Sequence, residues 1–143
     1  MVNSRVKSSQ GLPQDYHPTE NEPYMNETQL AFFRQKLTQW RDELLNGASH
    51  ALSSLQEDSL RQPDITDRAT IEIDQSLELR TRNREMKLVS KIDEALHKIE
   101  DGSYGYCDET GEPIGIKRLL ARPIANLCIE AQEQYERQRR LRR

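Results

Sequence analysis

Three groups of residues in this 143-residue chain have types and spacings that bear on chemistry. Cys107 and Cys128 are its two cysteines. Two thiols are too few for the disulfide framework of a small secreted domain. The three histidines, His17, His50 and His97, stand at no obvious ligand spacing to them. Asp64 and Asp67 follow Pro63, where a helix is expected to open. From spacing alone they read as an N-cap and a first-turn carboxylate that meets the helix dipole. The chain closes on YERQRRLRR, with arginines at 137, 139, 140, 142 and 143. That end suits the negative pole of a helix, or an acidic or nucleic-acid surface. No nucleophile is paired with a base and there is no phosphate-cradling loop, so no enzymatic activity is expected.

Composition narrows the class. Hydrophobic residues make up 34% and charged residues 31%, against norms of roughly 45–50% (with glycine) and a quarter. Mean hydropathy is −0.92. Such a chain does not fill one compact globule, and is expected to be elongated or partly unstructured. No apolar run approaches the roughly 18 residues of a membrane span. The opening MVNSRVKSSQG lacks a secretory h-region, which makes the cytoplasm the default expectation. Net charge −3 argues against a dedicated DNA binder.

The elements that position these residues follow from periodicity. Residues 1–25 carry three prolines and no apolar period, and read as a flexible N-terminal arm. From Asn26, a plausible N-cap, Leu30, Phe33, Leu37, Trp40 and Leu44 recur at steps of 3, 4, 3 and 4, the seam of a coiled coil. Helix persists to about Leu60, where Gln62-Pro63-Asp64 stops it. A second helix opens near Thr66 and runs to about Glu100, with Leu88, Ile92, Ala95 and Ile99 as its seam and Gly102 as its C′ residue. Two long helices joined by a short turn bury their stripes against each other. The expected fold is mainly α: an antiparallel coiled-coil hairpin over 26–100, its polar tip at about 61–69, roughly 50 Å long at 1.5 Å per residue. Residues 101–143 read as a small lobe plus a basic C-terminal helix from about Leu127. Ile114, Ile116, Leu119, Leu120, Ile124, Leu127 and Ile129 are its expected core, helped by Tyr104 and Tyr106.

Three segments in this order carry a family resemblance: YMNETQLAFFRQKLTQWRDEL, then PDITDRA with SLELRTRNREMKLVSKI, then DGSYGYCDETGEPIGIKRLLARPIANLCIEAQ. Over about residues 24–135 the chain resembles the DksA/TraR family of bacterial RNA-polymerase-binding transcription factors. The resemblance implies a hairpin that enters the polymerase secondary channel. Its tip pattern D-x-x-D-x-A, here Asp64, Asp67 and Ala69, would lie near the polymerase active site. It further implies destabilised open promoter complexes, coupling to guanosine tetraphosphate (ppGpp), no direct promoter recognition, no membrane association and a monomer. The family's ppGpp positions match Arg84 and Lys91, with Leu88 between them; a lysine expected farther on is Gln132 here. Ordinary solvated charge is the other reading of Arg84 and Lys91.

The resemblance also implies a zinc-finger-like lobe, whose family members commonly carry two C-x-x-C pairs, the signature of four-coordinate structural zinc. Here the positions are Cys107-x-x-Thr110 and Cys128-x-x-Ala131. Threonine is a poor zinc ligand and alanine is none, so no structural zinc is expected, as in a zinc-independent branch of that family. Thr110 is expected to bond a turn carbonyl, and the cysteines to be buried free thiols, with a redox switch between them as the lesser reading. Two other readings compete. A Gre-type cleavage factor also inserts an acidic hairpin, but places it first and follows it with a larger domain. A structural coiled coil that merely oligomerises would continue its apolar seam through the tip, which is polar here.

Overall fold

The computed structural model describes residues 12, 13, 15–60 and 65–142, with the side chains of 48–60 and 65–67 excluded. Four helices follow one another: α1 (Glu27–Leu60), α2 (Ile65–Asp101), α3 (Ile116–Ala121) and α4 (Ile129–Leu141). Among the described residues the one β feature is an isolated antiparallel bridge between Tyr106 and Pro113. No helix of the described residues is long and apolar enough to cross a membrane.

The helix ends follow local chemistry. The Asn26 carboxamide oxygen accepts the Gln29 amide at 2.8 Å, and the Gln29 side chain accepts the Met25 amide at 2.7 Å. Such a cap is worth about 1 kcal/mol. At the other end of the pair, Gly102 takes φ 85°. That conformation lets the Ser103 amide reach back to the Lys98 carbonyl at 3.0 Å and close α2.

The chain forms two compact units, one made of the chain up to Thr38 with the chain from Glu94 onward, the other of Gln39–Asp93. In the first, the opening turns of α1 lie antiparallel to the closing turns of α2, with Arg34 and Glu100 paired at 3.5 Å. Phe33, Leu37, Ile99 and Leu119 are fully buried there, with Ala95, Tyr104, Ile114 and Ile116 around them. In the second unit Val89 and Ile92 are buried, Trp40, Leu44 and Leu88 are half-buried, and Arg41 pairs with Asp93 at 2.7 Å. Arg82 is largely buried there, between Glu78 at 3.3 Å and Glu85 at 2.8 Å on its own helix.

Several expectations change. Residues 15–25, part of the expected flexible arm, have partners in the first unit. The Tyr16 hydroxyl donates to Glu22 at 2.8 Å and its ring meets Phe32 edge-on, while the fully buried Gln29 donates to the Thr19 carbonyl at 3.2 Å. Residues 1–11 and 14 of that arm lie outside the described residues. Tyr106 and Ile129 are exposed rather than core; Ile129 opens α4 just after Cys128, whose sulfur takes the inward place. The seam on α2 runs through Val89 more than Leu88. α3 was not anticipated, and α4 begins two residues after Leu127.

The Tyr16–Glu22 bond carries a pH signature. Burial, then the bond to Glu22, push the Tyr16 hydroxyl up to about 12. Hydrogen bonds from Tyr16 and the Thr19 amide hold Glu22 below the ordinary carboxylate value. A carboxylate depressed by folding stabilises the fold above its unfolded pKa and loses that contribution as pH falls through the folded pKa. Glu22→Gln is therefore expected to melt earlier than the parent at neutral pH, with the difference shrinking as pH falls through the acidic range. Thermal unfolding across that range is the check.

Candidate functional site

Two regions carry the residues singled out by sequence, one in each compact unit. On α2, Arg84 and Lys91 are exposed and Leu88 is half-buried beside them. The 3.6-residue turn places all three on one side of the helix. Arg80 and Lys87, also exposed, fall on the same side, so the cations recur at steps of 4, 3 and 4. Sequence reading missed these two as members of the stripe, although the spacing alone places them there.

The stripe differs from the ion-paired cations. Arg34, Arg41, Arg82, Lys98 and Arg137 each have a carboxylate within 4 Å. Arg80, Arg84, Lys87 and Lys91 have none among the described residues. Four exposed cations along one helix face, with no ion pair among the described residues, concentrate positive potential there. Of the tip residues, Ala69 is exposed on α2, Asp67 lies in α2 with its side chain outside the described set, and Asp64 lies outside the described residues altogether.

The second region is the lobe around the cysteines. Its loop folds back on itself: the Cys107 amide donates to the Glu112 carbonyl at 2.8 Å, and the Ile114 amide to the Gly105 carbonyl at 2.8 Å. The Asp108 amide joins this loop to the following segment at the Asn126 carbonyl, 2.9 Å away. The buried Tyr104 hydroxyl donates to the Pro123 carbonyl at 2.7 Å, and burial raises its pKa above the ordinary phenol value. Cys107 and Cys128 are both free and buried. The Thr110 hydroxyl lies 3.8 Å from the Cys128 sulfur and accepts the Glu112 amide at 3.3 Å, instead of bonding the expected turn carbonyl. Burial pushes the Cys107 thiol up. Hydrogen bonds from the Thr110 side chain and from the amides of Cys128, Thr110 and Glu109 outweigh it and bring the thiol below its ordinary value.

Comparison with known proteins covers both regions. Residues 29–99 match the family model described as "DnaK suppressor protein DksA, N-terminal domain". Residues 102–137 match the "Prokaryotic dksA/traR C4-type zinc finger". The chain is 54% identical over 129 residues to the "RNA polymerase-binding transcription factor DksA" of Caulobacter vibrioides, covering 90% of this chain and 91% of that protein. It is 47% identical over 115 residues to the protein of that name from Escherichia coli, covering 80% and 76%. The solved structure of transcription factor DksA2 from Pseudomonas aeruginosa superposes with a TM-score of 0.76 at 47% identity, covering 82% of this chain and 90% of that one.

The zinc implied by the second match does not fit the residues present. Its four positions offer two thiols, the Thr110 hydroxyl and the Ala131 methyl. No cluster of three or more His, Cys, Asp or Glu among the described residues is placed to hold a metal. The Thr110 hydroxyl is also engaged as an acceptor within its own loop. With both family segments present in order and a relative more than half identical along nine-tenths of the chain, this protein belongs to the DksA family.

Proposed function

We propose that this protein binds bacterial RNA polymerase and regulates transcription in the cytoplasm. The observation that carries the reading is the match along almost the whole chain to relatives named as RNA polymerase-binding transcription factors. In this reading the α1–α2 pair enters the polymerase secondary channel and sets Asp64 and Asp67 near the active site, with Ala69 small enough for close approach. Their negative charge acts on a centre rich in basic groups and magnesium, and open promoter complexes become shorter-lived. ppGpp lies between α2 and the polymerase, where Arg84 and Lys91 bind its phosphates and Leu88 packs against it. The chain acts as a monomer, reads no promoter sequence, binds no membrane and catalyses no reaction itself. Gln132, neutral where the family has a lysine, weakens the ppGpp coupling.

The tip is tested by the double variant Asp64→Asn, Asp67→Asn. Asparagine caps a helix about as well as aspartate. A lost first-turn carboxylate costs only about 0.3–1 kcal/mol. The variant is expected to fold and bind polymerase normally yet leave open-complex lifetime unchanged. Decay of promoter complexes as fast as with the parent would reduce both aspartates to caps.

Charge removal at Arg84 or Lys91 tests the ppGpp assignment. A charged hydrogen bond is worth roughly 1.5–3 kcal/mol, so either loss is expected to weaken ppGpp stimulation about tenfold or more while basal inhibition survives. Equal loss of both activities would show that the two residues serve docking alone.

The lobe is expected to fold without metal. Elemental analysis of the purified chain should find far less than one zinc per chain. A strong chelator should leave its melting temperature in place, unlike a zinc finger, whose binding energy is folding energy. Stoichiometric zinc would overturn the reading.

A further inference from the structure

The lobe needs something to hold it shut where two thiolates are lost, and the N-terminal segment supplies a candidate. The Tyr24 hydroxyl donates to the Gly105 carbonyl at 2.6 Å and accepts the Gly115 amide at 3.0 Å. Gly105 and Gly115 stand at the two ends of the loop that carries Cys107 and Thr110, so one oxygen bridges the mouth of that loop. The Tyr24 ring meets Tyr106 edge-on at 5.6 Å. Met25 packs beside it: a Cβ added at Gly105 would come within 2.8 Å of the Met25 Cγ and 3.1 Å of the Tyr24 hydroxyl. Gly105 also sits at φ 90°, so it has both a steric and a conformational reason to lack a side chain.

The segment is itself held from the other side. Met25 adopts φ 52°, unusual for a residue with a side chain, and its amide is fixed by the Gln29 carboxamide at 2.7 Å. Gln29 is fully buried on the first turn of α1. The helix start, the bend at Met25 and the Tyr24 hydroxyl thus form one continuous chain of bonds that ends on the loop. A backbone conformation of this kind persists where its surroundings over-determine it.

We infer that Tyr24 and Met25 form a clasp that closes the cysteine loop, doing from the N-terminal side what two further metal ligands would do from within, and so controlling access to Cys107. The clasp has three parts: the bridging hydroxyl, the close seat at Gly105 and the Gln29 anchor. With it released, the loop opens at its mouth and the Cys107 sulfur, now 4% exposed as a residue, meets solvent.

The rate at which a disulfide reagent labels Cys107 in the native full chain, with the modified peptide identified by mass spectrometry, reads this opening directly. Tyr24→Phe keeps the ring and removes the bridging oxygen. The loss of two hydrogen bonds should raise the labelling rate at least about tenfold, if opening precedes reaction. Gly105→Ala, which displaces Met25, is expected to do the same. Tyr16→Phe, which alters the same segment away from the loop, should leave the rate close to that of the parent. Far-ultraviolet circular dichroism at the labelling temperature checks that each variant retains its helices. A folded Tyr24→Phe protein that labels at the parent rate would overturn the inference, whatever Gly105→Ala does. Polymerase plays no part in this measurement, so its outcome is independent of the proposed function.

Discussion

A relay of aromatic rings ties the first compact unit together. Tyr16 meets Phe32 at 6.1 Å between centroids, Phe32 meets Phe33 at 5.3 Å, and Phe33 meets Tyr104 at 5.6 Å. Three separate stretches of chain are joined in this way: the N-terminal segment, the first turns of α1 and the start of the lobe. Aromatic pairs of this kind add about 0.5–1.5 kcal/mol each beyond the area they bury. Phe33 is the central link, fully buried and touching both Phe32 and Tyr104. Beside it, Leu119, Ile114 and Ile116 of the lobe are buried with Ile99 and Ala95 of α2, and the half-exposed Lys98–Asp108 ion pair at 2.7 Å adds at most about 1 kcal/mol.

The two cysteine positions show how a protein redistributes the work of a metal. A four-thiolate site neutralises its sulfurs with a cation. Here hydrogen bonds hold the lobe instead: the Thr110 hydroxyl lies against the Cys128 sulfur, and the loop is sealed by bonds at Tyr24, Asp108 and Tyr104. Hydrogen bonds are individually weaker than metal bonds, so several are needed, and they come from different parts of the chain. This explains why the N-terminal segment packs so closely against a lobe about 80 residues away in sequence.

Local signals were legible in the sequence and distant ones were not. Asn26 and Gly102 mark helix ends by their own chemistry, and both do what their types suggest. The apolar period of α1 and α2 announced the pairing, because burial of a stripe is a local property of spacing. Arg80 and Lys87 were also within reach of the same counting. The partners of Tyr24 stand 81 and 91 residues away, and no spacing rule connects a tyrosine to two glycines across that distance. α3 is six residues long, too short for a period to show above its surroundings. Ile129 looked like core by type, but the turn that places Cys128 inward rotates its neighbour out.

Dissolved salt acts differently on the ion-paired cations of this protein and on the stripe along α2. Those with carboxylate partners sit in short, mostly surface pairs whose contribution to folding is small. Those along Arg80, Arg84, Lys87 and Lys91 carry a counterion cloud that any anionic occupant must displace. Ionic strength therefore acts on this molecule selectively. Raising it leaves the aromatic relay and the apolar seam intact while thinning the field of the stripe.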